Sequence, residues 1–181
     1  MGQVAPGVWR SNQPSARRLR RYARMGIRSI ISLRGDGMPS YHLFEAEACK
    51  KLGIDLHFAS IRARAPTRRE KLLHLLDLFE TVEKPFLVHC KSGADRAGLA
   101  SALYLMHVEG RPVEEAKKEL SLRYLHLKND STGILDYFLD AYAADNAETP
   151  MPIRRWIETR YDRKALKTAF RKGERPGKID G

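Results

Sequence analysis

Between residues 7 and 108, short apolar runs alternate with stretches of helical periodicity, and this alternation limits the fold more than any other feature of the chain. Residues 7–11, 29–33 (SIISL), 55–61 and 86–89 (FLVH) read as strands. Between them, Ser15 is placed to cap a helix reaching Met25, with Leu19, Tyr22 and Ala23 on one face and Arg opposite, and Gly26 ends it. A second helix is expected over residues 40–52, stopping at Gly53. Thr67 and Glu70 form a capping-box pattern ahead of a third, whose stripe is Leu72, Leu75, Leu76 and Phe79. Residues 97–108 are apolar nearly all round and predict a central helix. Helices over 113–120, 132–144, 153–160 and 163–170 complete the reading.

Strand–helix repetition of this kind predicts an α/β fold. The expectation is a central, mostly parallel sheet of about four to five strands flanked by helices, followed by a helical C-terminal part. One domain is expected over residues 1–170, with a basic tail at 171–181. Ligands of such sheets bind outside the carboxyl ends of the strands, which brings residues 34–37, 62–66 and 90–96 to one edge.

Composition narrows the function. No apolar run among the 181 residues approaches the roughly 20 that a membrane span needs. The first 15 residues have neither the layout of a secretory signal nor, with Pro6, the myristoylation pattern. Cys49 and Cys90 are the two cysteines, which excludes a disulfide scaffold and suggests a reducing, cytoplasmic setting. The histidines lack metal-ligand spacing, so neither metal nor cofactor is expected. The net charge is +11, and eight Arg with no acid fall within the first 35 residues. Such a field concentrates anions without naming them. It is the sole argument for a nucleic-acid partner, because no RNA- or DNA-reading motif accompanies it.

Chemistry concentrates in residues 84–98, KPFLVHCKSGADRAG. Cys90 follows an apolar strand, and Arg96, six positions on, opens a helix. Small residues between them let the backbone wrap an anion, with the loop amides and helix N-terminus turned toward it. That setting favours the thiolate, which is the nucleophilic form. Arg96 can clamp two phosphate oxygens. Sulfur transfer also uses a Cys loop, but an Arg at this spacing opening a helix fits phosphate better.

The segment from His89 to Gly98, HCKSGADRAG, resembles the HC-x5-R signature loop of the cysteine-dependent protein tyrosine and dual-specificity phosphatases. WRSNQP at 9–14 and GIRSIISLR at 26–34 are similar to the N-terminal half of small bacterial and fungal members. The resemblance covers about residues 7 to 110 and implies a dual-specificity-phosphatase-like fold. It further implies metal-independent hydrolysis of phosphate monoesters through a phosphocysteine on Cys90, with Arg96 binding the phosphoryl group. Lys91, Ser92, Gly93, Ala94 and Ala97 would belong to the phosphate-binding loop, and His89 would orient it.

Two positions depart from that family's pattern. The loop at 60–67, where many members carry the general acid, holds Arg62 and Arg64 and no carboxylate. Asp95, directly before Arg96, is the leading candidate acid, with Asp36 in reserve; some related phosphatases use an Asp at Asp95's place. Ala97 stands where Ser or Thr usually helps the thiolate leave, which predicts slow hydrolysis of the intermediate unless Ser92 or Ser101 compensates. The default partner is a phosphorylated protein. Lys91, Asp95 and the Arg edge, with Arg34, Arg62 and Arg64 as possible substrate contacts, argue for a polyphosphorylated small molecule instead, an inositol polyphosphate or phosphoinositide. A phosphate-binding module with little turnover is the alternative of another class.

Overall fold

The computed structural model describes residues 1–35, 40–121, 126 and 131–177. Five strands form one sheet in the order β1-β2-β5-β3-β4: β1 Gly2–Ala5, β2 Val8–Asn12, β3 Ser29–Ser32, β4 Asp55–Phe58 and β5 Phe86–Cys90. β2, β3, β4 and β5 are parallel; β1 adds to β2 antiparallel. The α/β expectation with a mostly parallel sheet therefore holds.

Helices cover both faces: α1 Ala16–Arg24 and α2 Ser40–Leu52 on one side, α3 Arg69–Thr81 and α4 Asp95–His107 on the other. The C-terminal part is helical among the described residues: α5 Val113–Ala116, a 3-10 turn Lys117–Glu119, α6 Gly133–Glu148, α7 Ile153–Thr159 and α8 Arg163–Arg171. Side chains of a strand alternate between faces, and the two cores follow that rule. Ile30 and Leu87 point to the core with Leu19, Tyr22, Cys49 and Ile54. Their neighbours Ile31, Phe86 and Val88 join the larger core with Leu75, Leu103 and Trp156. β5, central and buried on both faces, reads as an unbroken apolar run for that reason.

Local signals mostly hold. Ser15 caps α1 by accepting the Arg18 N–H, and the α3 stripe of Leu72, Leu75, Leu76 and Phe79 is buried. Four details differ. β1 was not anticipated; it is a short edge strand joined to β2 through Gly7 at φ +75°. The capping box is not formed: α3 begins after Arg68, and the Thr67 hydroxyl instead accepts the Arg62 N–H at 3.0 Å, closing the 62–67 loop. β4 stops at Phe58, three residues short of the expected end. The single helix expected over 113–120 divides into α5 and the 3-10 turn.

Candidate active site

β5 delivers Cys90 to the carboxyl edge of the sheet as its last residue, only 1% exposed and paired with Asn12 of β2. The chain then turns through residues 91–94 into α4. The Gly93 N–H donates to Cys90 Sγ at 3.2 Å, and the Ala94 N–H meets Ser92 Oγ at 3.4 Å. Gln13 N–H donates to the Lys91 carbonyl at 3.3 Å, so the turn between β2 and α1 borders the loop. Gly93 adopts φ +80°, open to glycine at no steric cost. α4 starts with no side-chain cap, leaving its first N–H groups beside Cys90 for an anion. Asp95 and Arg96 are its first two residues, both half-buried. Arg96 has no hydrogen-bond or ion-pair partner among the described residues, which leaves its donors to an oxyanion.

Behind the loop lies a residue that sequence reasoning counted in the positive charge and in the WRSNQP stretch, without assigning it a role. Arg10 on β2 is 1% exposed. Its Nη2 donates to the carbonyls of Gly93 and Ala94, both at 2.9 Å. Nη1 donates to Glu119 O at 2.8 Å and to Glu119 Oε2 at 2.7 Å. One guanidinium thus ties the loop to the 3-10 turn. Gly98 makes room for this: a Cβ there would stand 2.7 Å from Leu120 Cδ2 and 2.8 Å from Glu119 O.

A second unforeseen contact engages Asp95. His126, 2% exposed, places Nδ1 at 2.8 Å from Asp95 Oδ1 and Nε2 at 2.8 Å from Asp136 Oδ2. Asp136 lies in the first turn of α6. No motif links these positions, and only proximity in the fold reveals them.

The remaining predicted residues divide. Ala94 and Ala97 are buried, and Lys91 and Ser92 are exposed on the loop. Arg34 reaches the rim, donating from Nη1 to Gln13 Oε1 at 2.9 Å. Arg62 and Arg64 are exposed on the segment after β4, at the same edge of the sheet. Asp36 lies outside the described residues. His89 is wholly interior, its Nε2 2.8 Å from Glu45 Oε1 of α2 but without hydrogen-bond alignment. Ser101 donates to the Ala97 carbonyl at 2.8 Å, so its hydroxyl is engaged inside α4. Cys49, on α2, is buried in the core it shares with Leu19 and Tyr22 of α1, and burial, then Glu45, pushes its thiol up to about 12. Among the described residues no helix is long and apolar enough to cross a membrane.

Comparison with known proteins agrees with this fold. The model of the Swiss Army Knife protein DSP-PTPase phosphatase domain matches residues 7–130. Among solved structures the fold is similar to that of Tk-PTP in its active form, with 24% identity, 75% of this chain and 92% of that chain covered, and a TM-score of 0.61. It is also similar to the core catalytic domain of the PP-IP phosphatase SIW14 from S. cerevisiae, at 18% identity, 95% and 91% coverage and a TM-score of 0.57. For TpbA of P. aeruginosa the values are 19%, 92% and 88%, and 0.58. No curated protein matches the chain.

Proposed function

The chain belongs to the Swiss Army Knife DSP-PTPase phosphatase domain family, and from that premise we propose that it hydrolyses phosphate monoesters through a phosphocysteine on Cys90. The observation that carries this reading is the pairing of Cys90 Sγ, held by the Gly93 N–H at 3.2 Å, with an unengaged Arg96 at the start of α4.

Arg96 and the α4 N-terminus bind the phosphoryl oxygens and follow their charge into the transition state. Cys90 Sγ attacks phosphorus; the S–P bond forms as the P–O bond to the leaving group breaks with its electron pair on that oxygen. Asp95 protonates this oxygen. Water then attacks phosphorus, the S–P pair returns to sulfur, and Asp95 takes the proton. The Gly93 N–H stabilises the departing thiolate. Ala97 supplies no hydroxyl and the Ser101 hydroxyl is turned to a carbonyl, so the second step is slowed unless Ser92, the remaining hydroxyl of the loop, assists the departing thiolate.

The default substrate is a phosphorylated protein; TpbA has been crystallised with phosphotyrosine. A second reading, a polyphosphorylated small molecule, is favoured by exposed Lys91, Arg62 and Arg64 at the rim and by the likeness to a PP-IP phosphatase. Steady-state phosphate release with EDTA present tests the chemistry. Turnover is expected to survive EDTA and to vanish in Cys90→Ser. Competition between a phosphotyrosine peptide and inositol hexakisphosphate separates the substrate classes. A single stoichiometric burst without turnover would replace hydrolysis by phosphate trapping, and neither burst nor turnover on any phosphate would sink the role of Cys90.

A further inference from the structure

Asp95 sits in the first turn of α4 and Asp136 in the first turn of α6, with the buried imidazole of His126 between them. An ionised carboxylate only accepts hydrogen bonds, and a neutral imidazole offers one donor and one acceptor. Both ring nitrogens meet carboxyl oxygens at 2.8 Å. Two arrangements satisfy both contacts: an imidazolium between two carboxylates, or a neutral ring with one carboxyl protonated. Each holds two protons, and each puts one of them between Nδ1 and Asp95 Oδ1. Oδ1 is therefore committed to His126, while Asp95, with its side chain 25% exposed, has no other hydrogen-bond partner among the described residues. Oδ2 is the oxygen left to meet a substrate.

The geometry points to His126 as the positioning residue of Asp95, itself oriented by Asp136; this rests on the assignment of Asp95 as the general acid. His126 keeps its proton throughout. The acid form carries a third proton, taken up from solvent, on Asp95 Oδ2, with Nδ1–H donating to Oδ1. In the first step this Oδ2 proton passes to the leaving oxygen, and the charge left on the carboxylate is met by the His126 N–H at Oδ1. In the second step Oδ2 takes a proton from the attacking water. Helix N-termini favour both carboxylates, which strengthens the base half of the cycle. The arrangement repeats the general logic in which a catalytic group is oriented by a second group and that one by a third.

The test compares kcat/KM of the full chain for an alkyl phosphate, which needs protonation to leave, and p-nitrophenyl phosphate, which does not. His126→Ala and Asp136→Asn are expected to lower the alkyl reaction about 10- to 100-fold and the aryl reaction less than about 3-fold. His126→Asn, whose amide N–H stands near the Nδ1 position, should recover part of the loss. Added to Asp95→Asn, His126→Ala should change neither rate. Equal losses on both substrates, or a further loss in the Asp95→Asn background, would show that His126 only supports the fold and overturn the inference. Unimpaired Asp95→Asn beside inactive Cys90→Ser would remove the acid and the inference but leave the nucleophile. An active Cys90→Ser would remove both readings.

Discussion

A Cβ on Gly93 would stand 2.7 Å from the backbone nitrogen of Asn12 and 2.8 Å from the carbonyl carbon of Ser11. The loop thus lies directly on the end of β2, and neither partner is a flexible side chain that could swing away. A methyl group at position 93 must push the loop off the sheet.

Gly93→Ala is accordingly expected to cost about 2–5 kcal/mol, from left-handed backbone strain and overpacking together. Displacing the Gly93 N–H from Cys90 Sγ should lower turnover on the order of 100-fold. Gly110→Ala is the control: its φ is +64° but nothing lies within 4 Å, so it carries backbone strain alone. Thermal melts with aryl phosphate assays on both variants check this. Equal behaviour of the two would refute the close approach.

Arg10→Met should be the most damaging change outside the loop. It leaves the Glu119 carboxylate, only 15% exposed, and the Gly93 and Ala94 carbonyls without their donor. Breaking a buried ion pair from one side costs about 3–5 kcal/mol, or roughly a 10 °C fall in Tm for a chain of this size. Glu119→Gln should cost much less, because Arg10 retains its three carbonyl acceptors. Calorimetry of the two variants distinguishes them.

Alkaline pH should unfold the protein, and Cys49 should contribute. In the unfolded chain this thiol ionises near its ordinary 9.0, whereas burial in the folded state pushes it up to about 12. A raised folded value means that stability is complete below pH 9 and is lost as pH rises toward 12, by about 1.4 kcal/mol per pH unit for one proton. Tyr161, raised by burial, acts in the same direction. Urea titrations at pH 8 and 10.5 should show a smaller pH-dependent loss in Cys49→Ala than in wild type.

What the sequence made legible was whatever depends on neighbours along the chain. Leu72, Leu75, Leu76 and Phe79 announce α3 by spacing, and FLVH announces a strand buried on both faces. The loop from Cys90 to Arg96 could be singled out for the same reason: its candidate residues are contiguous. The role of Arg10 was not legible, because three of its acceptors are carbonyls, which carry no residue identity, and its carboxylate partner Glu119 lies 109 positions away. His126 was silent too, since a histidine flanked by no motif gives no sign of the carboxylates on α4 and α6. Thr67 was misread because its hydroxyl had a competing backbone donor in Arg62.

Arg10 joins the first tenth of the chain to residues 93, 94 and 119, and the contact between His126 and Asp136 extends the same assembly into α6. The side chains that brace the loop from behind are thus distant in sequence from the loop itself. A chain still emerging from synthesis can present the whole segment from His89 to Gly98 and yet lack its scaffold until residue 136 has docked. Completion of this scaffold becomes a late event of folding, arriving together with the long-range contacts that cost most to close.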